Sequence, residues 1–324
     1  MNRVLIFGGA GFIGSHLASY CVDRGDEVHV AVRPQTSLSR LAAIDKDISI
    51  HRFEFADNSA MANCFAHASP QEIYQLATQT RWRPAADLSD IYESISSEIR
   101  NLSAILAAAA SAKSCPRSVV RTGSLAEYGN GPAPYVESQR ENPLNAYSTA
   151  LVAATHCAQM LQLRLPFPVL TARLALTYGL YQSEEFLIPS LVRNCLAGMA
   201  TTIRRPGDRR DMIYVTDVAE ALCLMGGGAI AGGAIVNIST GVAPEVREIA
   251  LEIVRATGAN SNLIRISDSP NENEKISDSC LNFCASPLLA RKLLGWKAKI
   301  NLQEGLKRML EPLQGRPVVS RELG

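Results

Sequence analysis

The sequence carries little net charge and no long apolar run. Its 324 residues include 32 Lys and Arg against 31 Asp and Glu, and the net charge of +1 predicts no broad basic face for a nucleic acid. No apolar run approaches the roughly 18 residues needed to cross a bilayer, so we expect no membrane partner. Hydrophobic residues make up 47% of the chain, which is enough for a sizeable core and excludes a disordered composition.

Clustered cysteines are also lacking. The eight cysteines are dispersed, and only Cys280 and Cys284 stand close together, with no histidine nearby. We therefore predict neither a metal site nor a disulfide framework. Scattered free thiols fit a reducing compartment, and we expect a cytoplasmic protein.

What the chain does contain is an alternation of strand-like and helix-like segments. Helical patterns, the longest over 91–112 and 146–163, lie between short apolar runs. These runs predict buried strands at VLIF (4–7), EVHVAV (27–32), EIYQLA (72–77), SVVRTG (118–123) and FPVLTARLA (167–175). The alternation predicts an α/β protein with a doubly wound parallel sheet.

A glycine-rich turn joins the first strand to the first helix. Gly8 permits the tight turn, Gly11 lets the backbone approach a pyrophosphate, and Gly14 lets helix and strand pack closely. The helix N-terminus attracts the anion. Glycines at this spacing are a weak signal alone, but between a strand and a helix they predict a Rossmann-type dinucleotide site.

The end of the second strand distinguishes the two nicotinamide cofactors. A site for NAD usually carries an Asp or Glu there to bind the ribose hydroxyls. Here Arg33 takes that place, with Ser37, Ser39 and Arg40 nearby. A guanidinium suits a 2′-phosphate, so the sequence favours NADP, with NAD as the alternative.

The pattern becomes mixed from about residue 176. FLIPSLVRNCLAG and VREIALEIVRATG predict amphipathic helices, and GGGAIAGGA (226–234) predicts a loop between a helix and a strand. We expect two domains and a tail. They are a dinucleotide-binding domain over 1–175 and about 210–240, a smaller mixed α/β substrate domain over about 176–209 and 241–313, and the tail 314–324.

Residues 145–156, NAYSTALVAATH, predict a helix with a tyrosine near its start. This helix is one of several short motifs that follow one another between residues 8 and 296. They are GGAGFIGSHL, IYQLA, GSLAEYG, NPLNAYSTA, RLALTYG, RRDMIYVTDVAEAL and LLGW. In these motifs the chain resembles the extended short-chain dehydrogenase/reductase family of nucleotide-sugar epimerases, dehydratases and 4-ketoreductases. The resemblance implies a nucleoside-diphosphate sugar as substrate and a homodimer formed through the helices 91–112 and 146–163.

The resemblance also implies roles for single residues. Tyr147 would be the catalytic acid–base, Ser124 would hydrogen-bond the substrate oxygen, and Arg210 would grip the diphosphate. The remaining implied contacts are to the cofactor. They are Gly8, Gly11, Phe12, Ile13 and Gly14 at the pyrophosphate, Glu54 and Phe55 at the adenine, and Leu76, Ala77 and Thr78 after the fourth strand, together with Tyr147 itself.

Three positions depart from the family pattern. The lysine four residues after the tyrosine is Leu151, the asparagine of the later strand motif is Leu176, and SPNENE (269–274) lacks the arginine of a diphosphate clamp. The helix supplies no cation on the face of the tyrosine. A loop arginine would have to replace the lysine, and Arg81 and Arg83 are the candidates, with ordinary loop charges as the other interpretation.

The segment GSLAEYG bears on the reaction type. It lacks the acidic pair that the 4,6-dehydratases of the family carry, since Leu125 and Ala126 stand there. Glu127 resembles a variant found in 4-ketoreductases of deoxysugars, and we expect it at the substrate, with a structural carboxylate as the equal alternative.

The missing lysine constrains the chemistry of Tyr147. A free tyrosine has a pKa near 10, so roughly one molecule in a thousand is ionised at pH 7. Such a side chain is a poor base but a competent acid. The sequence therefore favours the NADPH-dependent reduction of a nucleotide-activated 4-keto, 6-deoxy sugar. Two alternatives stay open: an NAD-dependent nucleotide-sugar 4-epimerase, and a dinucleotide-binding or partner subunit with little turnover.

Overall fold

The computed structural model describes residues 1–267 and 282–314. Its strands are β1 (Arg3–Phe7), β2 (Glu27–Val32), β3 (Ile48–Arg52), β4 (Glu72–Gln75), β5 (Ser118–Ser124), β6 (Val169–Leu174), β7 (Leu176–Tyr178), β8 (Thr201–Ile203), β9 (Arg209–Arg210), β10 (Met212–Tyr214), β11 (Ile235–Ile238), β12 (Ile264–Ile266) and β13 (Asn282–Phe283). Its α-helices are α1 (Phe12–Asp23), α2 (Asn58–Ala68), α3 (Ser89–Ser111), α4 (Ala146–Gln162), α5 (Leu187–Leu196), α6 (Val215–Gly227), α7 (Val246–Thr257), α8 (Leu288–Leu294) and α9 (Leu302–Gln314).

Seven of the strands form one sheet in the order β3-β2-β1-β4-β5-β6-β11, and every neighbouring pair is parallel. From β1 the chain first moves outward through β2 and β3, and it then crosses back to β4 on the other side of β1. The strand order therefore reverses between β1 and β4, and a crevice opens at their carboxyl ends, where ligands of such sheets bind. The predicted doubly wound α/β fold of the Rossmann type is confirmed.

Both faces of the sheet are buried, which explains why its strands are almost continuously apolar. Along β1, Val4 and Ile6 belong to an apolar cluster that includes residues of α1 and α6. Leu5 and Phe7 belong to a second cluster on the other face, with residues of α2, α3 and α4. Each fully buried side chain of this kind stabilises the fold by about 1.5–3 kcal/mol relative to an exposed one. The two layers together fix the place where the glycine turn leaves β1.

A smaller group of elements has an apolar cluster of its own. Leu191 of α5, Ile249 and Ile253 of α7, and Leu306 of α9 are among its buried members. The short pairs β7–β10, β8–β12 and β9–β13 are also parallel. This group matches the mixed α/β region that the sequence predicts after the central strands.

The structure refines several predicted boundaries. The long helices predicted over 91–112 and 146–163 are α3 and α4, each within two residues of its predicted limits. The predicted loop 226–234 is wrong at its start, because α6 continues through Gly227. Gly226 packs so closely on Tyr74 that a Cβ would lie 2.2 Å from the tyrosine hydroxyl, which explains a glycine inside this helix.

Two segments singled out in the sequence lie outside the described residues: SPNENE (269–274) together with Cys280, and residues 315–324 of the predicted tail. Within the described ranges, no helix is long and apolar enough to cross a membrane.

Candidate active site

The crevice at the carboxyl ends of β1, β4 and β5 is a cleft of about 610 Å³. Pockets of this size hold small organic ligands. The cleft brings the glycine turn of residues 8–14 to the same cavity as Ser124 and Tyr147, which are more than a hundred residues away in the sequence. Other predicted site residues in its wall are Phe12, Ile13, Leu76, Thr78 and Arg210.

Two glycines of the turn are required by the fold. Gly8 has a φ of +80°, and a Cβ there would lie 2.8 Å from the backbone nitrogen of Ala77. A Cβ on Gly14 would lie 2.2 Å from the carbonyl oxygen of Gly8. The close approach of Gly8 to the backbone of Ala77 shows that Ala77 lies beside the turn. The side chain of Ala77 is not part of the cleft wall.

Gly11 has a different surrounding. A Cβ at this position would approach only the carbonyl oxygen of Gly8, at 3.1 Å, and would otherwise meet open space. The first helical hydrogen bond of α1 runs from the Ser15 amide to the Gly11 carbonyl, at 3.0 Å. The amides of residues 12–14 therefore precede the helical ladder and face a groove that can hold an anion such as pyrophosphate.

Ser124 and Tyr147 lie near each other in the wall of the cleft. Ser124 ends β5, and its Oγ accepts a hydrogen bond from the Ala126 amide at 3.1 Å, which fixes the serine side chain. Burial raises the pKa of Tyr147 above the ordinary tyrosine value, and the carboxylates of Glu98 and Glu127 raise this pKa further. The neighbouring Ser124 hydroxyl lowers this pKa in part. The phenol is therefore neutral at pH 7 and can donate a proton.

The position of the family lysine is filled by a buried leucine. Leu151 lies one helical turn after Tyr147, is 1% exposed and forms part of the cleft wall. No lysine or arginine on α4 faces this site, as the sequence of the helix predicts.

Arg81 lies at the rim of the cleft and not beside the tyrosine. It forms an ion pair with Glu185, and its guanidinium carbon lies 4.7 Å from the centre of the Phe186 ring. Its side chain is 50% exposed. Arg81 therefore does not take the place of the lysine in this structure, and a contact of Arg81 with the substrate stays a prediction. Arg83, the other candidate, is exposed and is not part of the cleft wall either.

Glu127 does not face the cleft. The side chain is fully buried, and its Oε1 accepts a hydrogen bond from the Ser124 amide at 3.0 Å. Its Oε2 accepts from the Thr155 hydroxyl at 2.8 Å and from Nε of the buried Arg173 at 2.9 Å. Of the two interpretations left open by the sequence, the structure supports the structural carboxylate and not the substrate contact, because Glu127 holds the backbone of Ser124 in place. The Arg173 guanidinium also stacks 4.5 Å from the centre of the Tyr128 ring.

Two further charged residues behind the site were missed in the sequence. Arg121 of β5 is fully buried and donates from Nη1 to the Thr155 hydroxyl at 2.9 Å. Its Nη2 lies 3.7 Å from Oε1 of Glu98, which is 4% exposed. A signal was available, since an arginine inside the strand SVVRTG requires a buried partner if the strand is covered on both faces.

The residues predicted at the adenosine end are spread out. Arg33 is exposed at the end of β2, whereas Arg40 forms part of the cleft wall. Glu54 is exposed, and the Phe55 ring packs on Phe7 with centroids 5.4 Å apart. The side chain of Phe55 thus belongs to the core, and a contact with adenine could come only from its backbone.

The opposite end of the cleft carries Arg210, whose Nη2 lies 2.6 Å from Oδ2 of Asp208. Leu176, at the position of the family asparagine, is also part of the wall. Among residues 1–267 and 282–314, no group of three or more His, Cys, Asp and Glu side chains could hold a metal ion.

The doubly wound sheet, the glycine turn at its switch point and the Ser–Tyr pair across the cleft place the chain among the extended short-chain dehydrogenases/reductases. More particularly, it belongs to the GDP-mannose 4,6 dehydratase family, whose sequence profile matches residues 5–309.

Curated relatives of the chain carry two kinds of name. A dTDP-D-glucose 4,6-dehydratase of Mus musculus is 28% identical over 327 residues, covering 96% of this chain and 88% of the relative. A UDP-glucose 4-epimerase of Mycolicibacterium smegmatis is 29% identical over 321 residues, covering 95% and 97%.

Solved structures share the fold. The UDP-glucose 4-epimerase of Thermus thermophilus in complex with NAD superposes with a TM-score of 0.83 at 23% identity, covering 97% of this chain and 99% of that one. A dTDP-glucose 4,6-dehydratase of Bacillus anthracis in complex with NAD gives 0.83 at 18% identity, covering 97% of each chain.

Proposed function

We propose that this protein reduces a nucleotide-activated 4-keto, 6-deoxy sugar with NADPH. The observation that carries the proposal is that Tyr147 and Ser124 share the cleft wall with a buried Leu151, which stands where the family has a lysine. A base for alcohol oxidation needs the phenolate, whereas an acid for ketone reduction needs the neutral phenol. Burial keeps the phenol neutral, so the site supports reduction better than oxidation.

The residues of the cleft suit this reaction in simple roles. A reduced nicotinamide bound in the cleft would supply the hydride. Tyr147 gives its proton to the developing alkoxide oxygen, and the Ser124 hydroxyl orients the carbonyl through a hydrogen bond. Glu127 holds the backbone of Ser124 from behind, which keeps the two hydroxyls on one reacting oxygen.

The glycine turn fits the pyrophosphate of a nicotinamide dinucleotide. Gly11 has no side chain to occupy the open space that the pyrophosphate would fill. The amides at the start of α1 favour a bound anion there. We propose NADP as the preferred cofactor. Arg33 directly follows β2, at the place where NAD sites carry a carboxylate, and Arg40 is part of the cleft wall. Arg52 fixes the turn after β2 by donating hydrogen bonds to the carbonyls of Pro34 and Thr36 at 2.7 and 3.1 Å.

The other end of the cleft suits the nucleotide sugar. Arg210 is positioned to bind a diphosphate, and its pairing with Asp208 orients the guanidinium. We assign residues 1–175 and about 210–240 to the dinucleotide, and about 176–209 and 241–313 to the sugar nucleotide.

A stopped-flow experiment tests the proposal. Purified protein is mixed with NADPH and a panel of nucleotide-activated 4-keto-6-deoxy sugars, and the absorbance of the reduced nicotinamide is followed. We expect its loss with at least one member of the panel. No loss with any member, in folded protein that binds NADPH, would count against the proposal.

A second candidate is an NAD-dependent nucleotide-sugar 4-epimerase, favoured by the 29% identity to a protein of that name. An epimerase oxidises first and then reduces, and it recycles its cofactor. Protein that carries tightly bound NAD through purification and interconverts UDP-sugars without added cofactor would favour this candidate over the reductase.

We further propose a cytoplasmic homodimer formed through α3 and α4. Both helices expose large apolar side chains, Tyr92 at 74% and Met160 at 53%, which a partner subunit would cover. The molar mass in solution tests this, and Met160→Glu should shift a dimer towards the monomer.

A further inference from the structure

A buried polar chain runs from the cleft wall into the interior behind Tyr147. It begins at Thr78, which is part of the wall, and the Thr78 Oγ1 lies 3.1 and 3.0 Å from the two carboxylate oxygens of Glu98. Glu98 is 4% exposed and lies on α3, twenty residues after Thr78. The Thr78 hydroxyl therefore belongs to a residue of the cleft wall and is hydrogen-bonded to Glu98 on the side of the interior.

The chemistry of this contact fixes the direction of the hydrogen bond. A hydroxyl carries one hydrogen and two lone pairs, and a carboxylate can only accept. The Thr78 hydroxyl therefore donates its hydrogen inward to Glu98, and only its lone pairs are available on the side of the cleft. A ligand group that meets Thr78 must itself donate a hydrogen bond.

Arg121 favours the charged form of Glu98. Its guanidinium is fully buried on β5, with Nη2 at 3.7 Å from the carboxylate and Nη1 bonded to Thr155. Burial raises the pKa of Glu98 above its ordinary value, and Arg121 and the Thr78 hydroxyl offset part of this rise. The Arg121 guanidinium and the Thr78 hydroxyl thus both favour the ionised carboxylate, which is the form that orients Thr78.

We propose that Thr78 and Glu98 hold the nicotinamide ribose in place of the missing lysine, with Glu98 as a positioning residue that makes the Thr78 oxygen an acceptor for a ribose hydroxyl. This inference rests on the proposed binding of a nicotinamide dinucleotide. A lysine would hold the ribose by donating and would bring a positive charge towards the phenol. Thr78 holds it by accepting, and Tyr147 stays neutral.

Ligand affinity tests the inference without any turnover. The probes are NADPH and adenosine 2′,5′-bisphosphate, which shares the adenosine half of NADPH but lacks the nicotinamide ribose. Thr78→Val removes the hydroxyl at nearly constant volume and should weaken NADPH about two- to tenfold, the effect of one hydrogen bond, without changing the affinity for the bisphosphate. Thr78→Ser keeps the hydroxyl and should bind both probes as the wild type does.

Glu98→Gln is the second variant. The glutamine amide can donate a hydrogen bond to the Thr78 oxygen, and the threonine hydrogen would then turn towards the cleft. The affinity for NADPH should therefore fall, while the affinity for the bisphosphate should not change. Unchanged NADPH affinity in both Thr78→Val and Glu98→Gln would overturn the inference, as would an equal loss for both probes. Wild-type protein that binds NADPH but reduces no ketosugar would refute the proposed reaction and leave the ribose contact standing.

Discussion

Leu151→Lys restores the cation beside Tyr147, and its effect on the phenol can be worked from the site. Leu151 lies one turn after the tyrosine on α4 and is 1% exposed in the cleft wall. An ammonium about 4 Å from the phenolate oxygen would stabilise the anion by roughly 4 kcal/mol at an effective dielectric constant of about 20. This corresponds to a fall of about three units in the pKa of Tyr147.

The consequence is a change in the preferred direction of the reaction. Oxidation of the 4-hydroxy sugar needs the phenolate and should become faster, whereas reduction of the 4-keto sugar uses the neutral phenol and should gain little. Steady-state rates in both directions, measured between about pH 6 and pH 10, would show this, and the increase in oxidation should grow with pH until the new pKa is passed.

Leu151→Met is the matched control, because it conserves volume and adds no charge. If the lysine variant oxidises no faster than the methionine variant at any pH, another group already stabilises the phenolate. The reasoning that assigns Tyr147 the role of a neutral acid would then be refuted.

Four other substitutions test the fold. Gly11→Ala should leave the free energy of unfolding nearly unchanged but weaken NADPH binding, whereas Gly14→Ala should destabilise the protein, because its Cβ would lie 2.2 Å from a backbone oxygen; denaturant unfolding and NADPH titration separate the two effects. Arg173→Met leaves Glu127 buried without its counter-charge and should reduce the free energy of unfolding by about 3–5 kcal/mol, and a loss below about 1 kcal/mol would contradict this. Burial and two neighbouring histidines lower the pKa of His51 from 6.5 to about 4. The folded protein then binds fewer protons than the unfolded chain between these values, so stability should fall as the pH falls through this window, and His51→Gln should flatten that slope in unfolding curves.

The parts of the site that the sequence predicts are those with local causes. Gly8 and Gly14 could be recognised because the turn between a strand and a helix needs both within seven residues. Tyr147 could be placed because Asn145 caps α4 through the Ser148 amide at 2.9 Å, which fixes where the helix begins. The parallel order of the strands followed from the alternation of segments along the chain.

The parts that the sequence does not predict depend on partners brought together by the fold. Glu127 meets Arg173 across 46 residues, and no local pattern reveals whether a carboxylate after β5 points into the cleft or into the core. Arg81 had the right charge, but its position at the rim beside Glu185 depends on the loop before α5. Arg121 within β5 and Arg173 within β6 did indicate buried ion pairs, because an arginine inside a buried strand needs a partner.

The central claim is that Tyr147 protonates a ketosugar that receives hydride from NADPH. NADPH deuterated at the transferable position gives the most direct test. With a nucleotide-activated 4-keto-6-deoxy sugar, the account predicts one deuterium at carbon 4 of each product molecule, and a Tyr147→Phe variant that still binds NADPH but transfers almost none. Deuterium transfer by the phenylalanine variant at the wild-type rate, or none by the NADPH-bound wild type with any such sugar, would contradict it.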